Sequence, residues 1–114
     1  MREVLQALLQ NGLPQPGVAA WGARLPDHSV GSQCYSDWFT PAQIEQLVTR
    51  LALAAESLRT HRIDPVRLRW TFEHARIHLA LRRDGACLAL FVENRPDLSA
   101  AGLNGLIEGF IALP

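Results

Sequence analysis

The stretch RLRWTFEHARIHLALRRDGACLALFVEN, residues 67–94, carries His74 and His78 four positions apart, with Glu73 beside the first. On a helix, that spacing would stack two imidazoles on one face, and a third ligand would complete a zinc site. The apolar residues of the stretch argue against a helix. They fall at even numbers first (Val66, Leu68, Trp70, Phe72) and then at odd numbers (Ile77, Leu79, Leu81). Alternation means strand, and a change of phase in one straight strand would turn its second half to the wrong face. A hairpin removes the conflict. With His74-Ala75 as a two-residue loop, Phe72 meets Ile77, Trp70 meets Leu79, Leu68 meets Leu81, and Glu73 lies opposite Arg76. His74 then sits in a turn and His78 on a strand, and no third ligand is visible.

Other candidate chemistry is sparse. Asp27-His28-Ser29 contains the side-chain types of a hydrolase triad, but adjacent turn residues do not reach the required geometry, and no G-x-S-x-G accompanies them. Cys34, Tyr35, Ser36 and Asp37 cluster without a base in a defined position. Glu45, Glu56 and Glu73 form no acid/base pair. No phosphate-binding Gly-rich loop is present. Arg82-Arg83 beside Asp84 is a charge cluster at a hairpin end, and Gly105-x-x-x-Gly109 is a weak helix-contact pattern. No catalytic residue, cofactor or metal is therefore expected.

At 114 residues the chain is one domain, residues 1–114, able to bury a core without covalent staples. A formal charge of zero lacks the basic footprint of a nucleic-acid binder and the polybasic patch of an anionic-lipid binder. Two cysteines make neither a disulfide framework nor a four-ligand zinc site. No stretch approaches the roughly 20 apolar residues of a membrane span, and the N-terminal apolar residues form a helical stripe rather than a signal sequence. A cytoplasmic protein that neither enters membranes nor binds nucleic acid is expected.

The elements that must position any site read as follows. Residues 2–11 form an amphipathic helix with Gly12 at C′. Strands follow at 17–25 and 29–38, the second more polar and suited to a sheet edge, with Pro26-Asp27-His28 as the turn. A helix over 41–60 opens on a T-x-x-Q capping box, Thr40 to Gln43, with Pro41 at N1; Ile44, Leu47, Val48, Leu51, Ala55 and Leu58 mark its inner face. After the hairpin, Asp84-Gly85 predicts a second two-residue turn. It sets Leu81 opposite Leu88, Leu79 opposite Leu90, Ile77 opposite Val92 and Arg76 opposite Glu93. One apolar face then runs across three strands, with Thr71, His78, Ala80, Cys87, Ala89 and Phe91 on the other. ACLALFV is apolar on both faces and belongs mid-sheet. A last helix over 98–112, capped by Asp97 or Ser99, carries Gly102, Gly105 and Gly109, whose cost close packing against Ala80, Cys87 and Ala89 would offset.

That order, αββαβββα, resembles the Roadblock/dynein light-chain superfamily, including its bacterial MglB-type members. The resemblance covers essentially the whole chain and rests on the capped helix TPAQIEQLVTRLALAAESL, the meander LRWTFEHARIHLALRRDGACLALFVEN and the following DLSAAGLNGLIEGF. The first turn, Pro26-Asp27-His28-Ser29, lacks the Asp-Gly frequent in the family. The resemblance implies an α+β, three-layer fold with a five-stranded antiparallel sheet between the middle helix and the terminal helices. It further implies a non-enzymatic homodimeric scaffold that binds and regulates a small Ras-like GTPase. The family's dimer interface maps onto residues 43–57 and 67–73. Within these, the candidate contacts are Gln46, Arg50, Leu53 and Ser57 on the helix and Arg67, Arg69, Trp70, Thr71 and Glu73 on the strand. An antiparallel pair of such strands meeting about Trp70 or Thr71 opposes Glu73 to Arg67 or Arg69 of the second copy, the self-complementarity a two-fold interface needs. Two other classes stand beside this one. One is a small-ligand sensor of profilin-like architecture with a pocket near Trp21, Trp38 and Phe39. The other is an enzyme using His28 or His78 with Cys34 or Cys87.

Overall fold

The computed structural model describes all residues, 1–114. The order is α1 (Arg2–Gly12), β1 (Val18–Arg24), β2 (Val30–Cys34), α2 (Pro41–Thr60), β3 (Arg67–Thr71), β4 (Ala75–Leu81), β5 (Cys87–Glu93) and α3 (Ala100–Ile111). The strands form one antiparallel sheet in the order β2-β1-β5-β4-β3. β5 is therefore central, as its two apolar faces require, and β2 and β3 are the edges. α2 covers one face, and α1 and α3 cover the other.

Each face has its own core. On the α2 side Ile44, Val48, Ala52 and Ala55 meet Ala20, Leu79, Leu81, Cys87, Ala89 and Phe91. On the other, Leu5 and Leu9 of α1 and Leu103, Leu106, Ile107 and Phe110 of α3 meet Trp21, Ala80, Leu88, Leu90 and Val92. The α2 start is the one the sequence signals: the Thr40 hydroxyl accepts from the Gln43 backbone N–H at 3.2 Å, and the Gln43 side chain accepts from the Thr40 N–H at 3.0 Å. Gly22 lets α2 lie close on β1, since a Cβ there would stand 2.7 Å from Ile44 Cγ2.

Both hairpin registers differ from the sequence expectation. The β3–β4 loop is Glu73-His74, so Trp70 faces Ile77, Leu68 faces Leu79, and Arg76 faces Thr71 rather than Glu73. The end of β5 selects this loop: Asn94 N–H donates to His74 O at 2.9 Å and Asn94 Nδ2 to Glu73 O at 3.3 Å. The shift is two residues in pairing, so facing is preserved.

The β4–β5 turn has three loop residues, Arg83-Asp84-Gly85, closed by Arg82 N–H to Ala86 O at 3.0 Å. Gly85 sits at φ +93°, the left-handed residue that completes a three-residue hairpin loop. One extra residue flips the partner strand. Leu81 therefore pairs with Cys87, Leu79 with Ala89 and Ile77 with Phe91, while Leu88 and Leu90 pair with Ala80 and His78, and Ala75 rather than Arg76 faces Glu93. The single apolar face expected across three strands is in fact two faces, each with its own helical cover.

Smaller corrections concern the ends. Gly12 is the last helical residue of α1, followed by an extended Leu13 (φ −124°), not a left-handed cap. β2 stops at Cys34 instead of reaching Trp38. α3 begins at Ala100, where Ser99 Oγ accepts from Gly102 N–H at 3.0 Å. Its glycines do not face Cys87 and Ala89, which lie across the sheet. Gly109 abuts Leu8 of α1, Gly102 abuts Gln15, and Gly105 is open.

Candidate functional site

The arrangement most suited to a function is an edge. Val66 O accepts from Leu81 N–H and Phe72 N–H donates to Ala75 O, each at 2.9 Å. The even-numbered residues of β3 thus bond to β4, and by the alternation of an antiparallel ladder the N–H and C=O groups of Arg67, Arg69 and Thr71 point away from the sheet. Nothing in the chain covers them. Such an edge is a template for another strand.

The α2-side surface next to that edge is also unfinished. One flank of α2 is tied to β1 and β2, by Glu56 to Arg24 at 3.1 Å and Ser32 to Glu45 at 3.0 Å. The opposite flank carries Leu47 and Leu51, one turn apart, and Leu58 two turns further on, all half-buried. Beyond it Leu68, Trp70 and Ile77 are likewise half-buried at the margin of the core, and Phe72 is 54% exposed. A strip of apolar side chains therefore runs from the helix to the open strand without a roof.

Of the residues singled out from sequence, Trp70 lies in this strip. Arg67, Arg69 and Thr71 lie on the α3-facing side of the same strand and are exposed, with Glu73 in the adjoining turn. Gln46, Arg50, Leu53 and Ser57 are exposed on α2, with Leu53 55% exposed on its outward side. The flank residues Leu47 and Leu51 and the strand residues Leu68 and Phe72 were not singled out. Their apolar periodicity merges with that of the core, and only the tertiary packing shows that α2 sits chiefly over β1 and β2 and leaves β3, at the far edge of the sheet, bare.

The chemistry-bearing residues are dispersed. His74 is exposed in its turn and 3.6 Å from Glu73, whereas His78 is 9% exposed on β4. No group of three or more His, Cys, Asp and Glu side chains is placed to hold a metal ion. Cys34 and Cys87 belong to the α2 side and His78 to the other, so the sheet separates that proposed pair. Burial pushes both thiols up from their ordinary pKa, the opposite of what an attacking thiolate needs. Asp27 accepts from Ser29 Oγ at 2.6 Å and Ser29 N–H at 3.0 Å, a local turn that holds its carboxyl below the usual range. Trp21 and Phe39 lie on opposite faces of the sheet, so the pocket expected near Trp21, Trp38 and Phe39 does not form. No helix is long and apolar enough to cross a membrane.

His78 gives a testable electrostatic consequence. Burial, then the guanidiniums of Arg76, Arg67 and Arg69, push its pKa down to about 4. An unfolded-state histidine titrates near 6.5. Between these values the unfolded chain binds a proton that the folded chain refuses. Stability therefore rises with pH from about 4 to about 6.5 and levels off above. Urea unfolding at pH 4.5 and 7 should show a fall of order 2 kcal/mol toward acid. Most of that difference should vanish in His78→Leu; an unchanged pH slope would clear His78 of the effect.

No family model and no curated protein matches the sequence. Solved structures do. MglB of Myxococcus xanthus superposes with a TM-score of 0.66 at 6% identity, over 96% of this chain and 86% of that one. The gliding protein MglB of Thermus thermophilus gives 0.71 at 13% identity, over 96% and 87%. A Roadblock/LC7 domain from Streptomyces avermitilis gives 0.63 at 14% identity, over 96% and 90%. From its first helix to its last, the chain has the Roadblock/LC7 fold.

Proposed function

We propose that this chain is a non-enzymatic homodimeric platform that binds and regulates a small Ras-like GTPase. The observation that carries the dimer is the coincidence, on one border, of unpaired β3 backbone groups and the unroofed strip of Leu47, Leu51, Leu68, Trp70 and Ile77. A second copy joined antiparallel at β3 supplies both missing parts. Its backbone continues the ladder into a ten-stranded sheet, twice the five of one copy, and its own α2 comes alongside the first to roof the strip. Arg50 and Ser57 lie toward this helix pair. Leu53 and Gln46 remain outward on the same surface, where a partner protein can reach them.

Two registers satisfy the edge. Centred on Trp70, the dimer sets Glu73 opposite Arg67 of the second copy; centred on Thr71, it sets Glu73 opposite Arg69. In sedimentation velocity, Glu73→Arg should weaken the dimer in either register. Adding Arg67→Glu restores it in the first and Arg69→Glu in the second; restoration by neither removes both registers.

The GTPase half rests on the family resemblance and on the fold shared with the MglB structures. In the proposed mechanism the dimer carries no nucleotide. It acts through unequal affinity for the partner's nucleotide states, since only differential binding shifts such an equilibrium. Its test is capture of Ras-like GTPases from the native cell, loaded separately with GDP and a GTP analogue. Equal retention of both forms, or of neither, would remove the regulatory reading while leaving the dimer intact.

A further inference from the structure

The α3-facing side of the same hairpin has a different character. All eleven basic residues of the chain are arginine, and three of them, Arg67, Arg69 and Arg76, share this face with His78. Arg69 stands directly opposite His78 in the ladder, and Arg76 is two residues along the same strand. The chain's ion pairs lie elsewhere, at Glu56, Glu73, Asp84, Glu93 and Asp97. None reaches these three guanidiniums. Arg67 donates only to the neutral Asn104 of α3, at 2.9 Å.

Beneath the arginines two side-chain nitrogens are buried without a partner, Arg76 Nε and His78 Nε2, and His78 is 9% exposed. A buried polar atom without a partner carries an unrecovered desolvation cost. Like-charged groups crowded without a counter-ion add to it. An anion seated among the guanidiniums relieves that crowding.

The geometry points to this face as a docking surface for an acidic, extended segment of a partner protein, its carboxylates meeting Arg67, Arg69 and Arg76 over His78. Arginine's planar fork suits a carboxylate bidentately. Alternate residues of an extended chain lie about 7 Å apart, the same repeat that separates Arg67 from Arg69. Carboxylates at every second residue therefore meet successive guanidiniums. The principal grooves of the molecule lie elsewhere, so an open face of this kind fits a segment better than a lone small anion. Single-stranded nucleic acid would want aromatic rings among the arginines, and Trp70 and Phe72 lie on the reverse of the strand. In the proposed dimer Glu73 of the second copy takes up one of these guanidiniums, Arg67 or Arg69, and leaves the other with Arg76 to the segment.

The test is fluorescence anisotropy with a labelled short peptide of alternating Glu and Ser, at physiological ionic strength. Arg69→Gln/Arg76→Gln should weaken binding about tenfold or more. Arg62→Gln/Arg83→Gln, with the same loss of charge away from the face, should leave it unchanged. The monomer variant Trp70→Asp should still bind, which separates this result from the fate of the dimer, and the His78 imidazole resonances should shift on titration. Equal weakening in the two double variants would reduce the effect to net charge. No binding at millimolar peptide, or tighter binding of oligothymidylate, would overturn the assignment.

Discussion

Trp70→Asp should yield a folded monomer. The indole lies in the middle of β3, half-buried and packed against the α2-side core while belonging to the uncovered strip. In the proposed dimer it comes to the two-fold axis, against its own copy in the Trp70-centred register. Large aromatics at the desolvated centre of an interface commonly carry ~2 kcal/mol or more of binding. A carboxylate pair there must also be desolvated and repels itself across the axis. Together these amount to a loss of about three orders of magnitude in dimer affinity. The protomer keeps its fold, because Trp70 is on an edge strand and neither core is built on it. Sedimentation velocity across the micromolar range, with far-UV circular dichroism, reads both quantities. A variant that stays dimeric would place the interface elsewhere; one that unfolds would move Trp70 into the core proper, and Phe72→Asp, at a position already 54% exposed, then tests the same border.

Arg82→Ala should be the most damaging single change to stability outside the apolar cores. α3 has no basic residue in its own last turn, so its C-terminal carbonyls need a cation from elsewhere. Arg82 supplies it: Nη1 donates to Phe110 O and Leu113 O at 2.7 Å and to Ile111 O at 3.3 Å. Its Nη2 lies 3.0 Å from Asp84 Oδ2, and the guanidinium stands 5.7 Å from the Phe110 ring centroid. The side chain is only 11% exposed. Removing it leaves carbonyls that favour a positive charge and strands a partly buried Asp84. Hydrogen bonds to a charged group are worth roughly 1.5–3 kcal/mol each but share one desolvation, so we expect a loss of about 3–4 kcal/mol. A domain of this kind has ~5–15 kcal/mol in total. Urea unfolding at pH 7 measures it. Arg82→Lys should recover less than half, since an ammonium cannot span the carbonyls and Asp84 together. A loss below about 1 kcal/mol for Arg82→Ala would show that α3 holds its end by packing alone.

The residues legible in advance share a property: their signals are local. Thr40, Pro41 and Gln43 make a cap from atoms within one turn, and α2 begins where that motif says. The change of phase between Phe72 and Ile77 excluded a helix, and with it the stacked histidine pair, without any knowledge of the rest of the chain. The run from Ala86 to Val92 announced a central strand, because only a strand covered on both sides can be apolar on both sides.

The failures are equally specific. Asp84-Gly85 marks a turn, but a two-residue and a three-residue loop use the same dipeptide, and the count decides which face Leu88, Leu90 and Val92 occupy. The β3–β4 loop was pinned by Asn94, twenty residues away in sequence from His74. Arg82 looked like a surface charge beside Arg83 because its role depends on where α3 ends in space.

The amino-acid sequence by itself determined the elements, their order and the absence of a stacked histidine site, since caps and periodicities act between near neighbours. Tertiary structure alone decided which strand is left at the border, which flank of α2 is left without cover, and which arginines gather without a counter-charge. Those are properties of the gaps between elements, and a gap exists only once every neighbouring element has taken its place.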